Sequence, residues 1–442
     1  MSLTSDLTNP ENFRGFLGQM NLVKQTGRVV EVVGVIIESD GPVASVGEYC
    51  EIAGGSGGEV TPCEVVGFRG DRVLLMPFGE MRGICPGSEV RSFGRQLTVN
   101  VSENIIGRIV DGLGNPIDGK GPIAGGVPMS IHADAPKPLK RRRITEYLPL
   151  GIRAVDALLT CGRGQRMGIF SGSGVGKSSM LGMIARFTKA DVNVIGLIGE
   201  RGREVREFIE RDLGEEGLSR SVVVVATSDQ PSLMRIKGAF TATAIAEFFR
   251  DRGNDVILMI DSITRFAYAQ REMGLARGEP PTTRGYTPSL FGVLPKLLER
   301  SGTSDKGSIT GLYNVLVEAD DMNEPVADAI RAILDGHVVL SRDLASRNIY
   351  PPVDVLQSVS RVMIDVVEKE QLENARRLEE TLAVYRDAED LINIGAYVKN
   401  SNPKIDYAVS KIDGINNFIR QGLFDKVEYG DSVQTLKALF AS

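Results

Sequence analysis

At 442 residues the chain is long enough for two to four domains, and 42% hydrophobic with 24% charged residues is the make-up of a globular protein, which excludes a disordered or fibrous one. A formal net charge of −6 argues against a protein whose main task is to coat nucleic acid. No apolar run approaches the ~18 residues that span a bilayer, the start MSLTSDLTNPENF lacks a basic-then-apolar leader, four cysteines far apart read as reduced thiols of a cytoplasmic protein, and two histidines argue against a His-based metal site.

Residues 1–25 are polar and irregular. If helical, they align Phe13, Phe16, Leu17 and Met20 on one face, an assembly or regulator-binding segment; a simple tail is the alternative. Across residues 27–92 short β-type runs such as RVVEVVGVIIES and CEVVGFRGDRVLLMPF alternate with glycine turns, which predicts a small β-barrel. Residues 96–143 form a Gly/Pro-rich connection that ends in PKPLKRRRI. Its basic run, residues 140–143, reads as a solvated linker or a contact for an acidic partner.

From residue 151 to 361 apolar strands alternate with helical stretches. The strands are RMGIF, VNVIGLIG, SVVVVAT, DVILMID and SITGLYNVL; the helices cover residues 177–189, 204–213 and 241–252. Continuously apolar runs suit strands buried on both faces, so the expectation is a βαβ series with a mostly parallel sheet. Residues 362–442 are helical in pattern. The predicted fold class is α/β: segment 1–25, a β-barrel over 26–96, a P-loop domain over 97–375 and a helical domain over 376–442.

The strongest chemical signal is the strand RMGIF running into SGSGVGKSS and then a helix. Glycines turn successive N–H groups inward as an anion nest, and the helix N-terminus adds positive potential. The loop comprises Ser171, Gly172, Ser173, Gly174, Val175, Gly176, Lys177, Ser178 and Ser179. Ser171 stands where such loops usually begin with glycine. Lys177 is expected on the β- and γ-phosphates of ATP and Ser178 on Mg²⁺. DVILMID ends in Asp261, a carboxylate for the metal's water shell. Glu200 follows another buried strand, at the sheet end where ligands bind. It either orients or deprotonates the attacking water or belongs to a surface turn.

Strand–SGSGVGKSS, GERGREV, VILMIDSITRF and YPPVDVLQSVSR, in that order, resemble the nucleotide-binding subunits of rotary ATPases. The tail LAVYRDAEDLINIGAYVKNSNPKIDYAV resembles the C-terminal domain of the ATPases of type III protein export, and GFRGDRVLLMPFGEMRGICPGS resembles the flagellar one, with the ATPase of virulence secretion systems as the nearest alternative; a RecA-like nucleotide domain is implied. The resemblance further implies that Glu200 activates water and that Arg201 and Arg265 act on the γ-phosphate. It places Tyr350 on the adenine, with a second wall from residues 391–397, and makes Arg361 an arginine finger for the neighbouring subunit. Because one chain carries both Glu200 and Arg361, a homohexamer is implied. Implied partners are a stator-like regulator, a central coiled-coil stalk protein, export-gate membrane proteins, and export substrates with their chaperones. The implied location is cytoplasmic, at the inner face of the membrane. Less favoured are an ATP synthase or proton-pump catalytic subunit, a non-catalytic subunit, and an RNA-dependent ring helicase, which would need an aromatic platform that a chain without tryptophan and with 6% aromatics does not offer.

Overall fold

The computed structural model describes residues 26–54, 60–317 and 321–441, so the amphipathic face expected within 1–25 lies outside the described residues. The chain separates after Leu97 into two units, each with its own packing.

The first unit is a closed six-stranded barrel. Its strands are β1 (Thr26–Val33), β2 (Ile36–Asp40), β3 (Glu48–Ala53), β4 (Val60–Arg69), β5 (Arg72–Pro77) and β6 (Glu89–Gln96), in the order β1-β2-β5-β4-β3-β6, closed by pairing of β1 with β6. Val29, Ile37, Ile52, Val65, Leu75 and Val90 fill the interior. Register shifts between Val29 and Glu31 and between Val65 and Gly67 supply the bulges that let short strands curl into a barrel. Cys50 and Cys63 face each other across β3 and β4 as free thiols.

The second unit begins with β7 (Thr98–Val101), β8 (Ile109–Asp111) and β9 (Val127–Ser130). Its main strands are β10 (Arg166–Ser171), β11 (Val192–Ile198), β12 (Ser221–Ala226), β13 (Asp255–Asp261), β15 (Ser308–Leu316), β16 (Gly336–Leu340) and β17 (Val353–Ser360). The order across the sheet is β17-β16-β10-β15-β13-β11-β12-β8, with β14 (Gly302–Thr303) pairing β15 off this path. Only the β16–β17 and β14–β15 pairings are antiparallel. Every residue of β11 and β12 is buried, as strands covered by helices on both faces require. The expected α/β architecture is thus observed. Helix Lys369–Asn393 crosses residues 375/376, and Pro403–Ile419 and Tyr429–Ala438 pack against it.

Three local expectations change. The helix read as 241–252 spans Ser232–Arg250, because Pro231 opens it one turn after the strand and the interior Gly238 does not break it. A Cβ on Gly238 would lie 2.9 Å from Ile198 Cδ1 and 3.0 Å from the Ala226 Cβ, so glycine there permits close helix–sheet packing. The connection over 96–143 is not all linker: β8 joins the sheet edge, and Asp111 Oδ1 accepts the Leu113 and Asn115 N–H groups at 2.9 and 2.8 Å to fold the turn after it. The basic run is a strap rather than a solvated linker. Arg141 Nη1 donates to the Ser301 carbonyl at 2.8 Å, Arg142 to the Ser304 and Lys306 carbonyls, both at 2.9 Å, and Arg143 to Asp365 at 3.0 Å.

Candidate functional site

The site forms where β10, β11 and β13 end on one edge of the parallel sheet. β10 ends at Ser171, and the backbone turns through Gly174 and Gly176 at φ +78° and +93°. These are left-handed values that side-chain-bearing residues resist. Gly176 caps the helix Lys177–Phe187 and its carbonyl takes the Met180 N–H at 3.1 Å. Residues 172–179 line a cleft of about 310 Å³ together with Glu200, Arg201, Glu204 and Arg265. Ser171 is buried beneath the loop and does not line the cleft.

Lys177 Nζ lies 2.5 Å from Asp261 Oδ1 and 3.4 Å from Glu200 Oε1. All three side chains are at most 15% exposed, so the charges act through little water. Burial alone would depress the Lys177 ammonium; Asp261 and Glu200 outweigh it and hold it above the ordinary value. Burial, reinforced by the Asp261 charge and opposed by Lys177, pushes Glu200 up to about 7. A carboxyl group so placed gains and loses a proton near neutrality, the property of a general base.

Arg265, on the helix Ile263–Ala276 that follows Asp261, lowers Glu200's proton affinity, and its own N–H bonds to the Ser262 hydroxyl at 3.2 Å. The Arg201 side chain is three-quarters exposed and pairs with Glu204 at 3.2 Å. Tyr350 borders the same loop: a Cβ on Gly176 would meet its ring at 3.6 Å. The hydrogen bond that ties the C-terminal region to Tyr350 comes from the Gln421 N–H to its carbonyl at 2.8 Å. Leu391 and Ile394, in the segment expected to wall the base, are 49% and 75% exposed.

Arg361 stands apart. It follows the edge strand β17, its backbone N–H on the Asp335 carbonyl at 3.0 Å, and its side chain is exposed and outside the lining of its own chain's cleft. Glu204 is the residue that sequence reasoning passed over. It lines the cleft from the first turn of the helix Gly202–Glu207, and its hydrogen bond with Glu200 lowers its own pKa. The four-residue spacing in GERGREV was the signal that could have found it. No cluster of three or more metal-binding side chains occurs among the described residues.

The nucleotide-binding domain of the ATP synthase alpha/beta family matches residues 151–360, and the family's beta-barrel domain matches residues 29–94. The flagellum-specific ATP synthase of Bacillus subtilis is 54% identical over 94% of this chain and 95% of its own. The chain belongs to the ATP synthase alpha/beta family. It is an ATPase of that family's type III export branch: the C-terminal domain of type III secretion ATPases matches residues 367–438. The type 3 secretion system ATPase of Xanthomonas euvesicatoria is 50% identical over 96% of each chain. The assembled EscN ATPase from the enteropathogenic E. coli type III secretion system superposes with a TM-score of 0.89 at 44% identity, over 94% of this chain and all of EscN. EscN solved with its central stalk EscO gives 0.87 at 43% identity, with the same coverage.

Proposed function

We propose that this chain is the ATP-hydrolysing motor of a bacterial flagellar type III protein export apparatus. The observation that carries the chemistry is Lys177 held between Asp261 and Glu200 at the mouth of the phosphate loop. In the absence of nucleotide Lys177 neutralises two carboxylates; ATP offers it phosphate oxygens instead. Glu200 then takes a proton from a water whose oxygen attacks the γ-phosphorus, and ADP leaves. Ser178 and Asp261, a hydroxyl and a carboxylate, fit a hard oxygen-seeking cation. They would hold Mg²⁺, Asp261 through water, and the ion would supply positive charge to offset that of the phosphates. Arg265 and Arg201 add positive charge at the γ-phosphate side. Residues 172–179 cradle the phosphates and Tyr350 stacks on the adenine.

Arg361 completes the site of a neighbouring copy, which supports a homohexameric ring. The segments are proposed to be 26–96, 97–375 and 376–442; the break after Leu97 supports the first boundary. No helix among the described residues is long and apolar enough to cross a membrane. The proposed location is cytoplasmic, at the inner membrane face beside export-gate proteins. A central coiled-coil stalk, a stator-like regulator and chaperone-bound export substrates are the proposed partners, and nucleic acid is not one. The stalk is supported by EscN's complex with EscO. A motor of a virulence secretion system is the second reading, favoured by the match to the Xanthomonas protein. Deleting the gene in its host separates the two: loss of filament assembly and motility supports the flagellar reading, and loss of effector secretion alone supports the other.

Glu200→Gln tests the chemical step. It keeps the shape and removes the base, so nucleotide binding persists while turnover falls about 10²-fold or more. Only the carboxylate accepts a proton, so wild-type kcat/KM, which reports the free enzyme, should rise with pH through about 7 and the variant's residual value should stay flat. A variant with near wild-type turnover would demote Glu200 to a bystander. Tyr350→Ala is expected to weaken ATP binding about tenfold and Tyr350→Phe to leave it nearly unchanged, since base–aromatic stacking is worth about 1–3 kcal/mol. Equal defects in an equilibrium binding titration would implicate the hydroxyl instead.

A further inference from the structure

Asn314 is fully buried in the middle of the sheet, and neither its amide nitrogen nor its amide oxygen has a hydrogen-bond partner. Among the described residues no other buried side chain leaves two polar atoms unmet. Such a group destabilises the fold and is usually bonded to something. Its position indicates what that is. Asn314 lies on β15, level with Ile169 of β10; on the other side Tyr313 is level with Ile260 of β13, so Asn314 comes level with Asp261. Side chains level in parallel strands share a face. That face carries Ile169, Met259 and Leu312, which belong to the core packed beneath the helix that begins with Lys177. Asn314 is therefore level with Asp261 on the neighbouring strand, and the Asp261 carboxylate lies 2.5 Å from Lys177 Nζ.

We infer that Asn314 is a positioning residue for Asp261. This rests on the reading above, in which nucleotide draws Lys177 to its phosphates and Asp261 serves the metal. When Lys177 leaves, the Asn314 amide N–H donates to the Asp261 carboxylate and keeps it aimed at the metal site. The apolar near-isostere Asn314→Leu separates this role from a purely structural one. Replacing unmet polar atoms with methyl groups leaves thermal stability equal or higher. Binding of a fluorescent ATP analogue is then titrated in EDTA and in Mg²⁺. The variant should match wild type within about twofold in EDTA, and the gain in affinity on adding Mg²⁺ should shrink about tenfold. Asn314→Thr, which keeps a donor and an acceptor, retains most of the gain. If the leucine variant does not fold, Asn314→Ala, which only removes atoms, carries the same expectation. A variant that keeps the full Mg²⁺ gain, or loses affinity equally in both titrations, overturns the role of Asn314 alone. A wild-type chain with no Mg²⁺ gain overturns the metal reading of Asp261 and this role with it.

Discussion

Lys177→Ala should abolish ATP hydrolysis, read as phosphate release, while the chain still folds. The side chain projects into the cleft and takes no part in the apolar core. Its loss removes the positive charge that pairs with both carboxylates and, in the proposed reaction, reaches the β- and γ-phosphates. Hydrolysis within about threefold of wild type would contradict the phosphate-loop assignment. The same substitution has a second signature. With Lys177 gone, Glu200 loses the nearest cation that opposes its burial, and it should hold its proton to higher pH than in the wild-type chain. The folded state then binds more protons than the unfolded state between the ordinary carboxyl pKa and the raised one. Stability falls as pH rises across that window. The variant's melting-temperature deficit should therefore widen as pH rises above about 7, where wild-type Glu200 has lost its proton, and a deficit independent of pH would show that Lys177 does not offset the burial of Glu200.

Arg361→Ala should bind ATP normally and hydrolyse it about 10³–10⁵-fold more slowly, the usual worth of an arginine finger. Arg has the chemistry for it, a permanently charged planar fork that fits phosphoryl oxygens. Its exposure at the end of β17, away from its own cleft, leaves the guanidinium free to reach a neighbouring copy. On the proposed role between chains, wild-type specific activity should rise with protein concentration.

Much of this arrangement was legible in the sequence because it rests on local rules. Buried parallel strands announced themselves as unbroken apolar runs such as SVVVVA, and the phosphate loop by glycines ahead of Gly176–Lys177–Ser178. Asp261 and Glu200 were legible because each follows such a strand. What the sequence hid depends on contacts far apart in the chain. Arg141 and Arg142 look like a solvated basic run until the carbonyls of residues 301–306, about 160 residues away, are seen to receive them. Gln421 reaches Tyr350 across about 70 residues, which no periodicity encodes. The glycine at 238, inside a helix, is explained only by the sheet pressed against it. Asn314 sits in the apolar run SITGLYNVL and is distinguished only by the register that brings it level with Asp261.

The central claim is that one polypeptide supplies both halves of each active site, the phosphate loop with Glu200 from one copy and Arg361 from the next. Mixing two inactive variants, Lys177→Ala and Arg361→Ala, tests it most directly. An interface that pairs the intact loop of the Arg361 variant with the intact finger of the Lys177 variant holds a complete site. The account predicts that mixed assemblies, verified by differently tagged copies purifying together, recover ATPase activity that neither variant shows alone. Mixed assemblies that form and remain as inactive as the separate variants would contradict it.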